Sequence, residues 1–117
     1  MPIVFQQYKH SDSEIFKSLH PLLSQWFQKN FKTFTEPQKY AILNILHREN
    51  TLVSAETGTG KTLSAFTAIL SELLTLAEMQ KLENKVYCVY VSPLRALSND
   101  IHKNLLEPLN AIQKNAE

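Results

Sequence analysis

The chain has 117 residues, 44% of them hydrophobic and 20% charged, which is the balance of one folded domain and excludes a disordered tail. The formal net charge is only +1, so no global basic field marks a nucleic-acid partner and any such contact must be local. One cysteine, Cys88, excludes an internal disulfide and a multi-cysteine metal centre, and the four histidines are scattered without ligand spacing.

No apolar run approaches the ~20 residues of a membrane span, and the first residues lack the basic-then-apolar order of a signal peptide. A cytoplasmic chain, or a nuclear one in a eukaryote, with no membrane partner is expected. Cys88 sits in an apolar run, where a buried small hydrophobe is the expectation. The histidines are expected as surface or packing residues.

Residues 1–12 form a lead-in. From Ser13 the apolar side chains Ile15, Leu19, Leu22, Leu23, Trp26 and Phe27 recur at three- and four-residue steps, the spacing of a helix face. Pro21 restarts or kinks that helix. After a connector at 30–34, Thr35-Glu36-Pro37-Gln38 is a helix start. Thr35 is the N-cap, Pro37 lies in the first turn, and Gln38 three residues on completes a capping box. The helix carries Ile42, Leu43, Ile45 and Leu46 to about His47. A turn at 48–50 follows.

Thr51 to Ala55 is a short strand candidate. Leu63, Phe66, Ile69, Leu70, Leu73 and Leu76 then predict a long amphipathic helix to about Met79. Beyond a polar link at 80–85, Val86-Tyr87-Cys88-Val89-Tyr90-Val91 has the composition of a buried parallel strand. Ser92-Pro93 caps and opens a helix carrying Leu94, Leu97, Ile101 and Leu105. Pro108 interrupts it, and a short helix with Leu109 and Ile112 ends the chain. Strand, loop, helix, strand, helix is a βαβ crossover, which belongs to an α/β fold with a parallel sheet. Two strands leave open edges and uncovered faces. Either further strands come from residues that do not read as strands, or residues 13–117 are the N-terminal portion of a larger domain, and the second is the expectation.

Both glycines of the chain, Gly58 and Gly60, fall between the first strand and its helix, in Ala55-Glu56-Thr57-Gly58-Thr59-Gly60-Lys61-Thr62. This is the phosphate-binding loop pattern G-x-x-x-x-G-K-[ST] with Ala55 in the first glycine position. Backbone amides must turn inward around a triphosphate, which needs conformations that glycine supplies. The following helix presents its N-terminal amides to the anion. Lys61 reaches the β- and γ-phosphates, and the Thr62 hydroxyl sits on Mg²⁺. Ala55 is acceptable there if it keeps a negative φ. Glu56 must point away from the phosphates.

With these residues in view, the chain resembles the first RecA-like domain of superfamily-2 helicases. The loop from Ala55 to Thr62 is similar to the A-x-T-G-x-G-K-T form of that superfamily's motif I. Phe31 and Thr35-x-x-Gln38 are similar to its Q motif, and Val91-Ser92-Pro93-Leu94-Arg95-Ala96-Leu97 to its motif Ia. Trp26-Phe27 and Ser92 to Leu97, with Asn99-Asp100 after them, are nearest to the large-helicase-related group. DEAD-box and DEAH-type relatives stand a step further away.

The resemblance implies ATP and Mg²⁺ as cofactors and a P-loop NTPase sheet with flanking helices. It implies ATP contacts from Phe31, Gln38, Thr57, Gly58, Thr59, Gly60, Lys61 and Thr62, with Gln38 reading adenine and Phe31, or else Phe34, stacking on the base. It implies Ser92 and Arg95 on the phosphate backbone of single-stranded or partly duplex nucleic acid, DNA ahead of RNA. Motif Ia touches backbone and carries no base code. For Gln38 the capping box alone remains an alternative role, and for both phenylalanines a place in the core.

The family's acidic motif, D-E-x-[DH], is not in these 117 residues: Asp12 and Asp100 are the only aspartates, and neither precedes a glutamate. No catalytic residue is therefore assigned. The expectation is the N-terminal portion of an ATP-dependent nucleic-acid helicase or translocase, inactive in hydrolysis by itself and working with the remainder of the helicase chain. The alternatives are another P-loop NTPase and a non-catalytic nucleotide-binding module.

Overall fold

A computed structural model describes residues 3–56, 58–91 and 102–116. It contains α1 (Asp12–Ser18), α2 (Pro21–Phe31), α3 (Glu36–Leu46), α4 (Lys61–Glu78), a π-helical turn (His102–Leu106) and α5 (Glu107–Ala116). Each boundary has a local cause. Ser11 caps α1 by accepting the Glu14 amide, and acidic Asp12 and Glu14 sit at the positive end of the helix dipole. Leu19 turns extended, and Pro21 opens α2 at its first position. The expected helix around Pro21 is thus two helices. Helix α2 ends at Lys32, whose φ of 64° breaks the helical path while its amide still reaches Gln28 O.

Thr35 caps α3 with the expected box: its amide donates to Gln38 Oε1 at 2.9 Å. Arg48, with φ 63°, ends α3, and Gln80, with φ 56°, follows α4. Pro108 lies in the first turn of α5 and is fully buried, so the interruption read at Pro108 is the start of the expected final helix. Ile112 is buried in the core, whereas Leu109 is exposed.

Helices α3 and α4 pack against each other over the largest contact, α1 bridges α2 and α3, and α5 lies on α2. Ile15, Leu23, Phe27 and Ile42 are completely buried between them. Burying each such side chain contributes about 1.5–3 kcal/mol. The ring of Phe34 is 4.3 Å from that of Phe27 and 4.6 Å from that of Phe16.

His20 ties the start of α2 to the far half of α4. Its amide donates to Ser71 Oγ at 2.8 Å. Its Nδ1 accepts the Leu22 amide, which leaves Nε2 as the donor to Glu78 at 3.0 Å. His20 is thus the packing histidine that was expected. The lead-in is apolar and exposed at Ile3, Val4 and Phe5, then fastens to α3: Lys9 pairs with Glu36 at 3.2 Å, and the His10 amide donates to Lys39 O at 3.0 Å.

The two expected strands are not formed among the described residues. No residue among the described ones is paired as a β-strand. Thr51 to Ala55 and Val86 to Val91 run without regular structure, and Leu52, Val86, Val89 and Val91 are between 77% and 88% exposed. A strand exists only through ladder bonds to a neighbour, and neither segment has that neighbour among the described residues. Cys88 is exposed, where burial had been expected. Tyr90 turns to the helices, its ring 5.1 Å from that of Phe66 on α4.

Candidate functional site

The loop joining the 51–56 segment to α4 has the backbone that its glycines allow. Gly58 has φ 84° and Gly60 has φ 81°, both in the left-handed region. Among the described residues the only side-chain-bearing positions with positive φ are Lys32, Arg48 and Gln80, so Ala55 keeps the ordinary conformation required of it. Gly58 faces open space, and only its φ demands glycine. Gly60 is constrained twice, because a Cβ there would also overlap Gln38 Nε2.

Gly60 caps the 18-residue helix α4. Its carbonyl accepts the first intrahelical bond, from the Ser64 amide at 3.0 Å. The preceding amides of the first turn have no partner within the helix and carry its positive dipole end. Lys61 is half-buried at the first helical position, its Nζ donating to Ala55 O at 2.5 Å across the loop. Thr62 is half-buried beside it. Thr59 Oγ1 donates to Glu56 O at 2.6 Å, which closes the loop on itself, and Glu56 is exposed as its charge requires.

The start of α3 grips this loop from outside. Gln38 is 3% exposed, with Oε1 on the Thr35 amide and Nε2 3.4 Å from Gly60 O. Thr35 Oγ1 donates to Thr59 O at 2.7 Å. Ser64 is fully buried, and its Oγ donates to Gly60 O at 3.0 Å. Sequence reasoning read Thr35 as a helix cap and as part of the Q-motif resemblance, without a contact to the loop, and passed over Ser64. The one signal for Ser64 was its place four residues after Gly60, where a helical serine reaches back to a carbonyl.

Of the site residues expected from sequence, Gln38, Gly58, Thr59, Gly60, Lys61 and Thr62 thus lie in or against one loop. Thr57, Ser92 and Arg95 lie outside the described residues. Phe31, at the end of α2, is 47% exposed, with its ring 5.7 Å from Trp26 and 5.0 Å from Phe27. Phe34 is buried in the aromatic cluster, which fits the core role left open for it.

A glycine loop opening a helix is shared by many nucleotide-binding proteins, but one gripped by an upstream Thr-x-x-Gln is narrower. Residues 35–117 match the DEAD/DEAH box helicase family, and the match begins at Thr35 itself. The chain belongs to that family.

Its relatives agree. The chain is similar to ATP-dependent helicase Lhr-Core of Methanothermobacter thermautotrophicus, with 53% identity over 108 residues covering 92% of the chain and 12% of that protein. Lhr-Core protein 2 of Thermococcus barophilus is 51% identical over 96% of the chain and 13% of its own length. An ATP-dependent rRNA helicase of Gibberella zeae is 30% identical over 93% of the chain and 18% of its own length. The chain therefore spans about an eighth of the length of the first two. No solved structure matches it. As a DEAD/DEAH box helicase sequence, the chain has its Thr-x-x-Gln at the start of α3 and its glycine loop at the start of α4, and these are the two helices that pack most closely.

Proposed function

We propose that this chain forms the ATP-gripping front of an ATP-dependent nucleic-acid helicase. The observation that carries the reading is the loop itself: two left-handed glycines open a long helix, with Lys61 at its first position. The donor set suits a triphosphate with Mg²⁺. Free helix-end amides and the Lys61 ammonium supply positive partners for phosphate, and the Thr62 hydroxyl supplies an oxygen for the metal. Phosphate would draw Lys61 Nζ from the neutral Ala55 carbonyl, since a charge-assisted bond is the stronger of the two.

Gln38 and Phe31 would take the adenine, Gln38 through its amide and Phe31 through its open face. Thr57 would add a loop contact. Ser92 and Arg95 would hold the phosphate backbone of a nucleic-acid strand, with DNA and RNA both admitted by backbone contact alone. The segments at 51–55 and 86–91, which form no β-ladder among the described residues, would be parallel strands of a RecA-like sheet, which would cover the exposed Leu52, Val86, Val89 and Val91.

These 117 residues contain no D-E-x-[DH], so the water-positioning carboxylates would come from elsewhere in the helicase. The test is ATP-driven unwinding by the full-length protein. Lys61→Ala abolishes unwinding and leaves ATP-independent nucleic-acid binding largely intact; unwinding that survives the substitution removes Lys61 from this role.

A further inference from the structure

The lead-in is fastened to α3 while its apolar side chains face solvent. Gln6 accepts a hydrogen bond from the Asn44 side chain in the last turn of α3. Lys9 pairs with Glu36, the first residue of that helix, at 3.2 Å, and the His10 amide donates to Lys39 O at 3.0 Å. The lead-in therefore runs along α3 from its end towards its head. Residues 51–55 take the same direction. They follow the turn beyond the end of α3 and lead into the loop whose Thr59 is bound by Thr35 at the head.

Both runs and α3 line one open groove of about 1180 Å³. The lead-in contributes Ile3, Val4 and Phe5, the helix Tyr40 and Ala41, and the other run Leu52. Ile3, Val4, Phe5 and Leu52 are between 77% and 87% exposed. Exposed hydrophobic residues scattered singly are ordinary, but three in succession, held in place beside a fourth, mark a contact surface. The groove exceeds the ~300–1,000 Å³ of a small-molecule site, so it suits a polypeptide segment. Over 3–7 and 51–54 no backbone-to-backbone hydrogen bond forms among the described residues. Main-chain groups on both runs can thus meet an added strand, whose alternate side chains would cover the apolar ones.

We propose that Ile3, Val4 and Phe5 are a docking surface for one extended, apolar segment of the remaining helicase chain, laid in the groove beside α3. The family match begins at Thr35, so this surface lies outside the part of the chain that the family model covers. Two observations select the occupant. The chain spans about an eighth of the length of its first two relatives, and a segment tethered in the same polypeptide has a high effective concentration over any separate partner. The only charged residues lining the groove are Glu36 and Glu49, and no Lys, Arg or His lines it, which argues against a nucleic-acid backbone or an acidic peptide. The inference does not depend on the glycine loop binding phosphate.

The test uses the full-length protein with two readouts. In amide hydrogen exchange followed by mass spectrometry, the amides of residues 3–7 exchange at least about tenfold more slowly than an open chain, since a docked strand protects them. Exchange at the open-chain rate overturns the proposal. In the second readout, Phe5→benzoylphenylalanine is irradiated. The expected product is a crosslink within one chain to an apolar segment outside these 117 residues. A crosslink between two copies makes a second chain the occupant, and a crosslink confined to residues 1–117, or none, leaves the surface without the proposed segment. Each of these three results overturns the proposal. Phe5→Asp supplies the energetic check: it raises exchange over both 3–7 and 51–54, and a change confined to 3–7 overturns the shared groove.

Discussion

Thr35 and Thr59 are joined by one hydrogen bond of 2.7 Å, from the hydroxyl at the head of α3 to a carbonyl of the glycine loop. The bond couples a helix cap to a candidate phosphate cradle 24 residues away in sequence. Around it, Gln38 and Ser64 close on the next carbonyl, and a Cβ on Gly60 would overlap the end of the Gln38 side chain. Several consequences of this arrangement can be measured.

The two glycines differ in what they tolerate. Gly58→Ala forces an alanine to φ near 84° in open space, a cost of roughly 1–2 kcal/mol. Gly60→Ala adds the overlap with Gln38 and is the more damaging change. In thermal unfolding, Gly58→Ala lowers the midpoint by about 4–8 °C per kcal/mol lost, and Gly60→Ala lowers it further. Equal midpoints for the two variants would show that α3 does not press on the loop.

Gln38 has two tasks in the proposed site, and they separate by base. Its grip on Gly60 serves any nucleotide, whereas an adenine contact serves only ATP. Gln38→Ala therefore weakens both ATP and GTP, and ATP by several-fold more, as the loss of one or two further hydrogen bonds would give. Titration with the two nucleotides decides it. Equal losses leave Gln38 as cap and clamp alone.

Phe31 and Phe34 exchange their effects between stability and binding. Phe34 is buried against Phe27 and Phe16, so Phe34→Ala costs about 3–5 kcal/mol of stability. Phe31 is half open, so Phe31→Ala costs much less stability. It lowers ATP affinity if it stacks on the base, where an aromatic contact contributes about 1–3 kcal/mol. Denaturant unfolding and ATP titration on both variants give a crossed pattern. A Phe31→Ala protein that binds ATP normally excludes the stacking role.

The lead-in carries a pH-sensitive contact. The Tyr8 hydroxyl donates to Glu14 at 2.9 Å, and that hydrogen bond holds the Glu14 carboxyl below its ordinary range and the Tyr8 phenol above 10.0. For the depressed Glu14, the stabilisation is present above the unfolded carboxyl value and lost as pH falls through the folded one. For the raised Tyr8, it is present below 10.0 and lost as pH rises through the folded value. Tyr8→Phe raises the Glu14 titration midpoint followed by carboxyl NMR. An unmoved midpoint shows that the bond does not form in solution.

Much of this was legible in the sequence for physical reasons that are local. Thr35 to Gln38 specify a capping box within four residues, and the box forms. Pro21 dictates a helix start, and the Leu63 to Leu70 face dictates a buried one. The loop's glycines and lysine carry their chemistry in their residue types. What could not be read locally depends on partners. Val86 to Val91 has the composition of a strand, but a strand needs a ladder to a neighbour, and no such ladder forms along it among the described residues, where Cys88 is exposed. The second task of Thr35 was also hidden. A capping threonine looks the same in sequence whether or not its hydroxyl hydrogen reaches another segment.

The most direct test of the central claim, that this loop grips a triphosphate, is equilibrium titration of Mg²⁺-ATP into wild-type and Lys61→Ala protein. Saturable binding that falls about 10- to 100-fold in the variant is the predicted result, matching one charge-assisted contact to phosphate. Equal affinity of the two proteins for ATP would contradict the claim.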